Sequence, residues 1–564
     1  MTSPSSPLRD HGRALALAII GLAIRITALG APPVHDDHAQ IAMLRGTFPA
    51  HRALWDLFAF VRPGEAAGFR LDGFLPWWTD AHFAIAMFRP LSSLALAAEF
   101  TLGGPRLAHA ASALIFAALV VVGGDVFRAT LPRPVAWIAT LLLALSPAAT
   151  LPLLWIANQN ALLAVLLGLV ALAALMRGRD VLAHTALLLA ALSGEYAVPM
   201  LGYLVVFALG RPRPAPRVAT LCTATLLPLL LGRALHYGAE HSQYLDPLRA
   251  PSQWLAQAPD RALALVGTAL LGQSSGADYH GSVLPFSPVA TVFGAALLLA
   301  AFAVTLRRSD AAARVSARAW TLGAALALLP VLSAPALPRL LLPSAPGVAV
   351  LLAVLCAAPV ERFSRWRTPA RPGLAAVALS LLLLVIHIAL VPWQAHIDVR
   401  ALAARFARTR DAVTAAAPLV NPEARCDVLL GALDLEALHY PHLIWRESGV
   451  RSSRCWRVLT STFRPVALTR LDARTLLLRS EGGALVEPIA LTAYRAGPVR
   501  VGQVLVTPTM TITVIDAFAG YPTALRIDLV DEVDAYAWWV MLGGRMIRLP
   551  ISRMSGVLRV PPPS

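Results

Sequence analysis

Ala14-Leu15-Ala16-Leu17-Ala18-Ile19-Ile20-Gly21-Leu22-Ala23-Ile24-Arg25-Ile26-Thr27-Ala28-Leu29-Gly30, followed almost at once by Val34-His35-Asp36-Asp37-His38, sets the reading of this chain. The first run is almost wholly apolar and close to the roughly twenty residues that one helical membrane crossing takes. Directly behind it stand two adjacent carboxylates between two histidines. Neighbouring aspartates repel, so at a membrane surface one of them tends to be held by a cation or a proton. A solvated first loop is the plain alternative, and chemistry is the sharper one.

The rest of the composition agrees with a membrane protein. Of 564 residues 57% are hydrophobic and only 14% charged, with mean hydropathy +0.64. Soluble domains carry about 25% charged residues, so the chain reads as polytopic. The formal charge is +16, and all 48 basic residues are arginine. They recur as small clusters between apolar runs, which is how membrane topology is written. Nothing gathers them into one basic face, which excludes nucleic acid as the partner. Arg9 and Arg13 before the first run, and Ala-Leu-Gly-Ala after it, faintly resemble a cleavable leader. Arg25 interrupts that pattern, and an uncleaved first span is expected.

Arginine bookkeeping gives a topology. Arg9 and Arg13 hold the N-terminus inside, and the first span leads out to a loop at 31–104 containing Trp55, Trp77 and Trp78, residues expected of segments lying in the membrane interface. Spans at 107–127, 134–152 and 158–176 follow. Residues 181–210 have arginines at both flanks, so two short crossings with an outer turn at Leu192–Pro199 are expected; they put Glu195 on the side of Asp36 and Asp37. A further span leads to a second outer loop at 233–287, holding His236, Tyr237, Glu240, His241, Asp278, Tyr279 and His280. Spans near 288–306, 319–334, 340–358 and 373–392 complete about eleven crossings, with the C-terminus outside.

From 394 onward the composition changes. Val399–Ala417 has a helical pattern, and Asp427–Ala432, Arg457–Thr460, Val504–Ile515 and Ala524–Val530 read as strands. An outer-facing domain at 394–564, α/β or mainly β, is expected. Cys222 and Cys356 lie in apolar runs, whereas Cys426 and Cys455 could pair in an oxidising compartment.

Four segments, in order, resemble the GT-C class of integral-membrane glycosyltransferases, nearest to bacterial relatives of protein O-mannosyltransferases and of the TPR-associated transmembrane O-mannosyltransferases. They are Asp36-Asp37, Phe88-Arg89-Pro90-Leu91 with Gly103–His109, Leu192-Ser193-Gly194-Glu195-Tyr196-Ala197, and Pro338-Arg339-Leu340-Leu341-Leu342-Pro343. The resemblance covers residues 14–392. It implies a bacterial inner-membrane enzyme with its C-terminal domain in the periplasm. The enzyme would take a sugar from a polyprenyl-phosphate donor and pass it to a protein, lipid or glycan acceptor. Gly194 stands where the related motif has lysine, and Ala157-Asn158-Gln159-Asn160 stands where relatives have Gly-Arg-x-Asp.

Such chemistry needs a base at the acceptor hydroxyl and cations at the departing phosphate. Asp36, Asp37 and Glu195 are the catalytic candidates, Glu195 having a structural ion pair as its alternative. Arg89 and Arg339 are the phosphate-binding candidates, with snorkelling to the headgroups as the alternative. His236, Tyr237, Glu240 and His241 are candidates for the acceptor cavity. Asp36 and Asp37, with His35 and His38, could instead hold a divalent cation. Arg25 is expected to snorkel, and Asn158, Gln159 and Asn160 to cap a helix. The rival readings are a lipid or solute transporter, disfavoured because the ionisable residues cluster at span ends, and a non-catalytic relative serving as a scaffold.

Overall fold

The computed structural model describes residues 7–273, 284–357, 373–432, 434–453, 455–551 and 556–562. Asp278, Tyr279, His280 and the cluster Arg362, Arg365, Arg367 and Arg371 lie outside the described residues. The first apolar run forms helix Pro7–Ile24 and a short 3-10 segment, Ile26–Gly30. Arg25 sits at the joint, wholly buried. Its Nε donates to the Thr150 hydroxyl at 3.0 Å, and its two terminal nitrogens donate to the carbonyls of Gly21 (2.9 Å), Ala144 (3.3 Å), Leu145 (3.1 Å) and Ser146 (2.6 Å). Arg25 therefore does not snorkel. Helix Arg133–Leu145 ends there, its last carbonyls lack intrahelical donors, and the guanidinium fork supplies them.

Six helices among the described residues are long and apolar enough to cross a membrane: Pro90–Thr130, Arg133–Leu154, Ile156–Met176, Pro214–Ala234, Pro288–Arg307 and Leu374–Leu419. Asp180–Ser193, Ala197–Leu209 and Ala345–Ala357 are shorter apolar helices. The first two form the expected hairpin, with Gly194–Tyr196 as its turn. Helix Pro90–Thr130 is broken at Gly104, whose φ of 65° is costly for any residue with a Cβ, and Pro105 follows it.

Two expectations change. The loop drawn at 233–287 contains helix Pro251–Leu271. Its buried Ala258, Leu265 and Thr268 share one face with Arg261, which donates to the Leu332 carbonyl at 2.9 Å. The polar residues between them hid this period in the sequence. The last apolar helix also does not stop near 392. Leu374–Leu384 passes through a π-helical turn at Val385–Leu390 into Val391–Ala415 without a break.

Beyond it lies a β-sheet domain, as the strand pattern predicts. One antiparallel sheet runs in the order Val557–Val560, Val466–Arg470, Thr475–Ser480, Tyr521–Leu529, Met510–Phe518, Val504–Val506. A second sheet sets Asp427–Leu429 parallel to both Trp456–Val458 and Ala537–Leu542. Cys426 and Cys455 form a disulfide at the starts of two of these strands.

The first loop is built into this domain. Its Phe58, Trp77 and Trp78 share one core with Trp445, Trp456 and Trp539. Trp77 Nε1 donates to the Leu459 carbonyl at 3.0 Å, and Trp78 Nε1 to that of Ala490 at 3.2 Å. The interfacial reading of Trp77 and Trp78 is therefore corrected, because the β-sheet domain covers them; Trp55 remains exposed. Arg457 reaches the carbonyls of Arg70 and Leu71. At Gly73, with φ 84°, a Cβ would lie 1.5 Å from the Trp456 carbonyl oxygen.

Two outcomes follow from these contacts. Arg25→Met leaves a set of carbonyls without donors and is expected to destabilise the chain by on the order of 3 kcal/mol. This would be read as a lowered Tm in detergent, against little change for the exposed Arg9→Met. Gly73→Ala is expected to prise the first loop from the sheet, seen as new proteolytic cleavage between residues 45 and 83.

Candidate functional site

Asp36 and Asp37 open a helix, Asp36–Leu44, where carboxylates meet the positive end of the helix dipole. They part company at once. Asp37 is fully buried, and its two oxygens accept from the backbone N–H of Val34 (2.9 Å) and of Ala157 (2.7 Å). It fastens the loop to the start of helix Gln159–Met176. Burial lifts its carboxyl to about 7, against the pull of those two donors. Asp36 is only half-buried, and its Oδ1 accepts from the Tyr440 hydroxyl at 3.2 Å. Burial raises its pKa, while His35, Tyr440, Arg339 and Arg89 favour the charged form. Both arginines therefore lie within its field.

Arg89 immediately precedes helix Pro90–Thr130. Its Nε and one terminal nitrogen each stand 2.8 Å from Glu195 Oε2, and its guanidinium lies 4.9 Å from the Phe58 ring centre. Ser92 Oγ donates to the Ser193 carbonyl at 2.8 Å, holding the hairpin tip beside Arg89. A Cβ on Gly194 would come within 2.8 Å of Asn160 Nδ2 and 3.5 Å of Arg89 Nε. No side chain fits there while Asn160 keeps its position, which accounts for glycine where the related motif has lysine.

Arg339 donates to Asn158 Oδ1 at 3.3 Å and lies 5.0 Å from the Trp155 ring centre. Asn158 thus holds an arginine rather than capping helix Gln159–Met176, where it makes no side-chain cap bond. The Trp155 ring meets His35 edge-on at 5.5 Å, and His35 meets Phe406 at 4.6 Å. Arg339, Trp155, His35 and Asp36 form one connected group.

The two histidines face carboxylates of the β-sheet domain. His35 Nδ1 is 2.9 Å from Glu436 Oε1, and His38 Nδ1 is 3.7 Å from Glu447 Oε2. Burial opposes charge on both His35 and Glu436, yet their mutual attraction outweighs it: the His35 pKa rises and that of Glu436 falls. Among the described residues no group of three or more His, Cys, Asp or Glu side chains is arranged to hold a metal ion. Each oxygen of Asp37 meets a backbone donor, and His35 and His38 each face a carboxylate of the β-sheet domain.

The second-loop candidates pair with residues other than Asp36, Arg89 and Arg339. The Tyr237 hydroxyl donates to Asp56 at 2.8 Å and accepts from Arg62 at 2.9 Å. Glu240 pairs with Arg249, and His241 stands 3.6 Å from Asp80. His236 is exposed. The sequence reading omitted Tyr440, Glu436 and Trp155. Tyr440 and Glu436 lie some four hundred residues from Asp36 and His35, with separations of 404 and 401, and carry no local signal.

No family model matches the chain, and no curated protein matches it in sequence. Among solved structures it is similar to the oligosaccharyltransferase AglB of Archaeoglobus fulgidus in complex with an inhibitory peptide and a dolichol-phosphate. The TM-score there is 0.41, with 13% identity, covering 79% of this chain and 64% of that one. The Archaeoglobus fulgidus oligosaccharyltransferase tethered with an acceptor peptide gives 0.38 at 13% identity, covering 80% and 64%. ArnT from Cupriavidus metallidurans bound to undecaprenyl phosphate gives 0.36 at 14% identity, covering 92% and 97%. The chain thus spans 64% of the length of the archaeal enzymes.

Proposed function

We propose that this chain is a membrane glycosyltransferase that moves a sugar from a polyprenyl-phosphate donor to an acceptor of the cell envelope. The observation that carries the reading is the half-buried Asp36, which opens helix Asp36–Leu44 and accepts from the Tyr440 hydroxyl, with Arg89 and Arg339 favouring its charged form. A half-buried carboxylate whose charged form two guanidinium groups favour suits a reaction in which a hydroxyl loses a proton while a phosphate gains charge.

In this reading Asp36 accepts the proton of the acceptor hydroxyl as its oxygen attacks the anomeric carbon. The bond to the phosphate oxygen breaks on the opposite face, which inverts the anomeric centre. Arg339 and Arg89 take the charge that develops on the leaving polyprenyl phosphate, presenting paired donors that a phosphate can accept from. Glu195 holds Arg89 in position. Asp37 serves the site by fixing the loop rather than by meeting substrate. The contacts of Asn158 and Trp155 with Arg339, at 3.3 Å and 5.0 Å, do the same for that guanidinium.

The membrane division belongs to the proposal as well. Residues 1–393 are the membrane part and 394–564 the domain on the periplasmic side of a bacterial inner membrane. Arginine distribution along the chain and the Cys426–Cys455 disulfide support this orientation.

Sugar incorporation into envelope glycan, followed in membranes bearing single variants, tests the proposal. Asp36→Asn is expected to lower transfer by about 10³-fold at normal membrane levels. Arg339→Met is expected to lower it by about 10²-fold or more. Asp37→Asn should instead reduce the amount of folded protein. Transfer at the wild-type rate by Asp36→Asn overturns the reading, as do reporter fusions that put Ser193–Pro199 in the cytoplasm.

A further inference from the structure

The residue before the site helix has an unusual backbone. His35 has φ 47° and ψ −123°, a conformation that a side chain with a Cβ adopts only under constraint. The constraint comes from the far domain. Glu436 Oε1 accepts from the His35 backbone N–H at 2.9 Å and stands 2.9 Å from its Nδ1. Glu436 is itself buried, with 1% of its side chain exposed.

The short helix Leu435–His439 that carries Glu436 is anchored in turn. Asp434 accepts from the Ala437 N–H at 2.8 Å and from the Thr409 hydroxyl at 2.7 Å, which ties it to helix Val391–Ala415. The next residue after that short helix, Tyr440, donates its hydroxyl to Asp36. Segment 434–447 thus reaches His35, Asp36 and His38 with three separate side chains.

We infer that Glu436 and Tyr440 are positioning residues for Asp36, so that the β-sheet domain completes the reacting site instead of serving only as a separate binding module. Glu436 holds the backbone turn from which the site helix starts, and Tyr440 orients the carboxyl group of Asp36. This inference rests on the role given to Asp36 above, but its structural half can be measured without any sugar transfer.

The test uses the full chain in lipid nanodiscs. Hydrogen exchange is followed over residues 31–44, and transfer is assayed with polyprenyl-phosphate sugars extracted from the host membrane. Glu436→Ala removes the acceptor of the His35 N–H and is expected to speed exchange at His35–His38 by about tenfold or more. Glu436→Gln keeps an acceptor oxygen and should restore most of the protection. Tyr440→Phe should leave exchange unchanged and lower kcat by about tenfold with KM within about twofold of wild type, the mark of a contact that matters in the transition state. Asp516→Asn, an exposed change in the same domain, should alter neither.

Wild-type exchange in Glu436→Ala overturns the positioning role of Glu436, and wild-type kcat in Tyr440→Phe overturns that of Tyr440. If Glu436→Ala does not fold, Glu436→Gln and Tyr440→Phe still decide the matter: near-wild-type exchange in Glu436→Gln with a fall in kcat at unchanged KM in Tyr440→Phe supports the inference, and wild-type kcat in Tyr440→Phe overturns it. Should Asp36→Asn remain active while Glu436→Ala loosens the loop, the catalytic role of Asp36 fails and the clamp stands.

Discussion

Charged groups taken out of water where apolar helices end must find partners, because an unpaired buried charge costs several kcal/mol. That constraint orders this molecule. Arg25 collects carbonyls at the end of helix Arg133–Leu145. Asp37 collects backbone N–H groups from two separate segments. Arg89 meets Glu195, and His35 meets Glu436. Apart from the local contact of Asp37 with Val34, each pairing joins parts of the chain far apart in sequence, so satisfying the charges also fixes how the helices, the first loop and the β-sheet domain sit together.

Within that frame Asp36 is the exception. It accepts from a hydroxyl, with His35, Arg339 and Arg89 favouring its charged form, and it keeps part of its surface open. Its neighbour has the same side chain and the opposite circumstances. The division of labour between the two aspartates follows from where backbone N–H groups of Val34 and Ala157 happen to point, not from any difference in their intrinsic chemistry.

The sequence carried much of the architecture and less of the site. Apolar runs and the arginine clusters between them marked most helices, including the short hairpin ending at Ser193. Alternating runs after residue 420 marked strands. What stayed hidden depended on burial by distant segments. Trp77 and Trp78 look like interfacial residues until a sheet domain is laid over them. Arg25 looks like a snorkelling residue until the end of another helix arrives beside it. Asn158 looks like a cap, but Arg339 claims its oxygen. The change of composition near residue 394 marked a change of solvent, and the helix continued through it.

The span of 401 positions between His35 and Glu436 has a consequence for biogenesis. The first loop leaves the ribosome long before the strands that cover it exist. Until they do, Trp77 and Trp78 lack their shared core, and His35 lacks the carboxylate that holds its backbone. Assembly of the segment nearest the start of the chain is therefore a late event in synthesis, and a nascent chain stalled before residue 436 presents a half-built, adhesive surface.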